Sequence, residues 1–310
     1  MPSALTHYYF ARRTAAELGA KNISVEKDAF CFGSQGPDVL FSHRFMQPKK
    51  SLSRYGSRVH HENPLLFLEL CEKYIKETNF AEPGRSYVLG VLCHYMLDST
   101  AHPYVHAKMK ELSAKHPKKT DDYPWHTQIE TCIDIIILRY ETGSLPTDIS
   151  LRMCAPKNKE LWAEIGRFWQ YILKNMFDVQ IDDAEAARLG KDMRTRLGLR
   201  NNRVMIKKPI FEFGEKLLGL SSKGSAHLMG ISEGTIDYAN NSRRPWAPPQ
   251  TPDDTRNLSF FDLYEQTIIK TAKILPEFLS RAEGVNKSAS SDNLQPLWES
   301  RNFSGKIVKC

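Results

Sequence analysis

Apolar side chains recur at i, i+3, i+4 and i+7 over seven stretches: Leu5 to Leu18, Pro64 to Glu77, Ser86 to Ala101, Trp125 to Tyr140, Lys159 to Met176, Ala184 to Leu197 and Phe260 to Arg281. That spacing lines up one face of a helix, so each stretch is predicted to be an amphipathic α-helix. Alternating β-branched runs, which would mark strands, are nearly absent. Turn-forming residues interrupt the pattern where helices should begin. Glu82-Pro83-Gly84-Arg85 precedes one, and Asp121-Asp122-Tyr123-Pro124 precedes the next, with Pro124 near a first helical turn. An all-α, multihelical single domain over residues 1–283 follows. Asn240 to Asn257 (NNSRRPWAPPQTPDDTRN) reads as a Pro-rich loop, and residues 284–310, rich in Ser, Asn and Lys, as a loosely ordered C-terminal tail.

Composition narrows this picture. With 310 residues, 41% hydrophobic and 25% charged, the chain can bury a substantial core. No stretch approaches the roughly 18 uninterrupted apolar residues of a membrane span. The start, MPSALTHYYFARR, lacks the basic-then-apolar order of an export signal. A cytoplasmic protein without a transmembrane segment is therefore expected. Cys31, Cys71, Cys93, Cys132, Cys154 and Cys310 form no C-x-x-C pair, which argues against a disulfide framework or a Cys-ligated zinc ribbon and for free thiols.

A formal net charge of +7 and a pI near 9.0 favour anionic partners. Much of the excess lies in Arg188, Lys191, Arg194, Arg196, Arg200, Arg203, Lys207 and Lys208. This run reads first as a solvated helix face, with contact to phosphate or an anionic surface as its alternative. No aromatic residue interleaves it, so it offers no platform for stacking bases.

The candidate chemistry lies in the N-terminal half, where nine of the ten histidines fall at or before residue 126. In HYMLDSTAH, His94, Asp98 and His102 are each four residues apart and share one helical face. HTQIE repeats the step with His126 and Glu130. One such pair is commonly an exposed ion pair. Two of them flanked by Leu92, Tyr95, Leu97, Ile129, Ile133 and Ile135 are harder to place in water, because charge in apolar surroundings is costly unless partnered. Neighbouring helices that each present imidazole nitrogen and carboxylate oxygen suit a zinc-like divalent ion.

These residues also carry a resemblance. PSALTHYYFAR, FGSQGPDVLF, YGSRVHHEN and LCHYMLDSTAHPYVH followed by WHTQIETCID resemble the zinc-dependent phospholipase C superfamily, which includes fungal single-strand-specific zinc nucleases. Together with YANNSRRPWAPP and LSFFDLY, the likeness covers about residues 1–280 and looks nearest to an intracellular bacterial branch. The resemblance implies two or three Zn2+ ions held by His7, Asp38, His60 or His61, His94, Asp98, His126 and Glu130. It also implies that Asp98 bridges two ions, that His126 and Glu130 hold a third, and that Asp38 is the catalytic proton acceptor. Extracellular members carry a histidine six residues after the bridging aspartate. Here Tyr104 stands there, leaving His102 or His106. His102 continues the helical face and is preferred, although Pro103 could end the helix and free His106. The amine of Pro2, exposed if Met1 is removed, is a further implied ligand.

His43 and His116, in polar contexts, are expected at the surface, and His227, in a Gly/Ser-rich segment, is expected to be structural. The function that follows is hydrolysis of a phosphodiester, a phospholipid headgroup first and a nucleic acid second. The rival is a non-catalytic protein whose metals cement its helices.

Overall fold

The seven amphipathic stretches are all helices in the computed structural model, which describes residues 4–79, 81–116, 124–220, 222–282, 284 and 301–308. They are α1 (Ala4–Gly19), α5 (Pro64–Glu77), α6 (Gly84–Lys115), α7 (Trp125–Thr142), α8 (Lys159–Phe177), α9 (Asp183–Arg200) and α11 (Phe260–Ala282). Their starts follow capping chemistry: Asn63, Asn158 and Asp182 accept from Leu65, Leu161 and Glu185 backbone N–H groups at 2.9, 3.0 and 2.8 Å. Four further helices lie outside those stretches: α2 (Lys27–Gly33), α3 (Asp38–Ser42), α4 (Ser53–His61) and α10 (Lys207–Leu217). The first three are too short to display a helical period, and α10 buries no residue. Among the described residues there is no β-strand, and no helix is long and apolar enough to cross a membrane.

Helix α6 is the axis of the domain, packed by α1, α2, α5, α7, α8 and α11. It is buried almost all round from Ser86 to Val105. Its polar His94, Asp98 and His102 therefore sit inside the core, where they need partners. Pro103 does not end it: the helix continues to Lys115 with the proline inside. Against α6 lies α2, backbone to backbone. A Cβ on Gly33 would fall 2.1 Å from the Tyr87 carbonyl oxygen, and one on Gly90 the same distance from that of Phe30. This close crossing brings the turn after α2, and Asp38 beyond it, down onto His94.

The segment expected to be a loose tail is packed at residues 301–308. Phe303 is wholly buried, 5.0 Å from the Tyr95 ring and 5.5 Å from the Phe67 ring. Tyr95 donates its hydroxyl to the Arg301 carbonyl at 2.7 Å, fastening the strap to α6. Residues 285–300, 309 and 310 lie outside the described residues.

Candidate metal centre

Five helices deliver the candidate ligands to the middle of the domain. The first, α1, is registered by Asp134 on α7. Its buried carboxylate accepts from the Leu5 and Thr6 backbone N–H groups (3.2 and 2.8 Å) and from the Thr6 hydroxyl (2.7 Å), meeting the unsatisfied donors of a helix N-terminus. That anchoring aims His7 into the core. Gly36, at φ +50, lets the α2–α3 turn pass over His94, since a Cβ there would lie 2.4 Å from the imidazole.

Asp98 is the hub. One carboxylate oxygen lies 3.2 Å from His7 Nε2 and 3.8 Å from His102 Nδ1; the other lies 3.1 Å from His94 Nε2 and 3.7 Å from His60 Nε2. Asp38 Oδ1 approaches His60 Nε2 at 3.4 Å and His94 Nε2 at 4.0 Å. Further along α6, His102 Nε2 is 3.7 Å from a Glu130 oxygen that His126 Nε2 approaches at 2.7 Å. Three groups thus have ligand atoms within 4.8 Å of one another: His7, His94 and Asp98; Asp38, His60 and His94; His102, His126 and Glu130.

These residues fit divalent ions on a structural test. His7 Nε2, His60 Nε2, His94 Nε2, Asp38 Oδ1 and both oxygens of Asp98 are buried and make no aligned hydrogen bond. Buried polar atoms left so are costly, and cations shared among them would satisfy them. The opposite ring nitrogens are already committed. His60 Nδ1 donates to the Gly56 carbonyl at 2.7 Å, His94 Nδ1 to that of Ser34 at 2.9 Å, and His102 Nδ1 to that of Phe303 at 2.7 Å. A carbonyl only accepts, so each Nδ1 carries the proton and each neutral Nε2 presents its lone pair.

Burial and mutual charge compete at each of these groups. Burial alone would raise Asp98, but His94, His102 and His7 around it hold its carboxyl well below the usual carboxylate range. Burial would likewise raise Glu130, yet His126 and His102 bring it well below. Burial and the stacked His94 ring, 4.0 Å away, push His7 down to about 4. Burial also lowers His94, but Asp98 outweighs it and raises the group above its ordinary value.

The open alternatives are placed as follows. His60 enters the centre, whereas His61 is exposed and bonds to the Ser57 carbonyl. Both His102 and His106 stay on α6; His102 faces Glu130, and the His106 ring stands 5.4 Å from His126, its pKa lowered to about 4 by burial. Pro2 lies outside the described residues. His43 is not at the surface: it is buried and 3.0 Å from Glu185.

His227 is not an isolated structural residue either. Together with Arg196 and Arg200, one turn apart on α9, it lines a cavity of about 180 Å³ that is also lined by Gln35, Asp38, His126 and Glu130. Two members of the basic run thus face inward. Among the described residues no carboxylate forms an ion pair with Arg196, while the Arg200 guanidinium donates to the His227 carbonyl at 3.3 Å. Burial, then the neighbouring Arg200 charge, lowers His227 to about 4, so its imidazole is neutral at pH 7. The i, i+4 arginine step was the available signal for this wall. For Asp134 the signal was the continuation of the His126, Glu130 step by four more residues.

The family model for zinc-dependent phospholipase C matches residues 6–179, the segment that holds every described candidate ligand. No curated protein and no solved structure matches the chain.

Proposed function

The chain belongs to the zinc-dependent phospholipase C family, and from that premise we propose that it is a phosphodiester hydrolase whose two- or three-zinc centre is built on Asp98. The observation that carries the reading is the position of Asp38. It is grouped with His60 and His94 and also borders the cavity, so one carboxylate reaches both the metal-binding set and the space open to a substrate. Structural sites close their coordination shell, whereas catalytic ones leave a face open. Here His126, Glu130 and Asp38 all border the cavity, which favours catalysis over a purely cementing role.

Asp98 would serve two ions, one through the oxygen beside His7 and a second, with Asp38, His60 and His94, through the other oxygen; His102, His126 and Glu130 would hold a third. Zinc bound there would polarise the phosphoryl oxygens and lower the pKa of an attacking water. The chain's own groups do the rest. Asp38 takes the proton that water releases as its oxygen bonds to phosphorus and the ester P–O bond breaks. Arg196 and Arg200 line the same cavity and would meet phosphoryl oxygens there, since a guanidinium fork matches an oxyanion.

Elemental analysis of purified protein, paired with hydrolysis of bis(p-nitrophenyl) phosphate with and without chelator, tests this reading. At least two zinc equivalents and chelator-sensitive turnover are expected. Less than one equivalent after reconstitution would sink it. Arg196→Met keeps the aliphatic stem and removes the charge, and should lower kcat/KM by roughly tenfold or more with zinc content unchanged.

A further inference from the structure

Half of the large apolar side chains that the described residues expose fall between residues 204 and 220. Helix α10 carries four of these eight and buries none of its residues. Ile206, Ile210, Phe213 and Leu217 follow at steps of four, three and four, forming one stripe, with Phe213 71% and Leu217 75% exposed. Leu218 and Leu220 extend it. A patch of this kind on a soluble domain marks a surface that something covers.

The helix is held in place without being buried. Asn202 Oδ1 accepts from the Lys207 backbone N–H at 3.0 Å at its start. On the opposite side, Glu215 accepts from the Gly224 N–H and the Ser225 hydroxyl, both at 2.6 Å. Ser225 begins the 3-10 turn Ser225–His227, whose last residue stands in the cavity wall. The exposed stripe is therefore tied, through a single turn, to the cavity beside the metal centre.

Charge identifies the occupant. Arg203, Lys207 and Lys216 flank the stripe, and Glu212 is the single exposed acid between residues 203 and 220. An apolar stripe bordered by cations fits the acyl and headgroup layers of an anionic bilayer, with the lysine stems reaching the phosphates. We propose that α10 and its flanks are an interfacial docking surface for an anionic phospholipid membrane. The docking stands on its own; its purpose, delivery of a phosphoester headgroup, rests on the hydrolase reading.

Vesicle co-sedimentation of the full chain tests this, with phosphatidylcholine vesicles compared against vesicles containing phosphatidylglycerol in low and high salt. Partition onto the anionic vesicles, weakened by salt, is expected for the wild type. Ile210→Ser combined with Phe213→Ser should reduce it at least about tenfold, with helicity unchanged because neither side chain is buried. Equal partition of wild type and variant would overturn the proposal, as would no partition at all. So would a wild-type dimer dissolved by the same substitutions without vesicle binding, which would assign the stripe to a second copy. Turnover of soluble bis(p-nitrophenyl) phosphate separates the two readings: its absence counts against the hydrolase and leaves vesicle binding standing.

Discussion

Replacing Phe303 by alanine should detach the C-terminal strap and weaken one metal site without unfolding the domain. The Phe303 ring is wholly buried among Phe67, Tyr95, His60 and His94, with centroids between 5.0 and 5.9 Å away. Phe to Ala in such surroundings costs about 3–5 kcal/mol. What else holds the strap is a small set of hydrogen bonds. Tyr95 donates to the Arg301 carbonyl and His102 to that of Phe303, Ser304 donates twice to the His60 carbonyl, and Asn302 donates to that of His61. At about 1 kcal/mol each these are comparable to the loss, so local release is the expected response.

Release removes the nearer of the two carbonyl acceptors of His102 Nδ1 and leaves only that of Asp98 at 3.1 Å; loss of such a partner typically costs roughly 10–100-fold in metal affinity, and the lower end is expected here. Competition with a chromogenic zinc chelator should show the His102, His126 and Glu130 site weakened by about that factor. The Asp98-centred sites should change less, since His60 and His94 keep their acceptors at Gly56 and Ser34. Phe303→Leu, which retains most of the apolar volume, should fall between. Wild-type zinc affinities and an unchanged melting temperature in Phe303→Ala would refute the strap's role.

Asp98→Asn keeps the volume but removes the charge between His7 and His94, and elemental analysis should show two zinc ions weakened together; Glu130→Gln should affect one. Unchanged metal content in both would discard these helices as the site. Asp38→Ala should lower phosphodiester turnover by orders of magnitude while the His102, His126 and Glu130 group retains its metal, and wild-type turnover would exclude Asp38 as proton acceptor. Chelated protein should lose stability as pH falls from about 6.5 toward 4, because an unfolded His227 binds a proton there that the native one, held near 4, does not. In urea melts, His227→Gln should shallow that decline by up to about 1.4 kcal/mol per pH unit, and an unaltered slope would mean His227 titrates normally in the fold.

What could be read from the chain was whatever a single helix encodes. The His94, Asp98, His102 and His126, Glu130 steps lie within one helix each, so the spacing alone set their direction. Helix α6 was underestimated at its far end, since a proline after His102 signals a stop in isolation. Packing on every side instead carries the helix through Pro103 to Lys115. His43 was misplaced for a related reason: its polar neighbours suggest solvent, but Glu185 and Asp192 come from α9 to meet its segment. Helix α10 carries an apolar stripe at regular spacing, yet stripe and core face look the same in sequence, and only the fold distinguishes a face that is buried from one left outside.

The groups that orient the centre are separated from it by long stretches of chain, and no local pattern can announce them. Asp134 reaches Thr6 across 128 residues, and Phe303 reaches His102 across 201. The same separation divides the chemistry in two. All the described candidate ligands lie within residues 6–179, where the chain matches its family. The arginine wall on α9, His227 and the exposed stripe of α10 come from residues 196–220 and 227, beyond that match. If the first part holds the metals and the second meets the substrate, substitutions in residues 6–179 should govern metal content. Those in the later segment should then alter which phosphoester is taken, with the metals still bound.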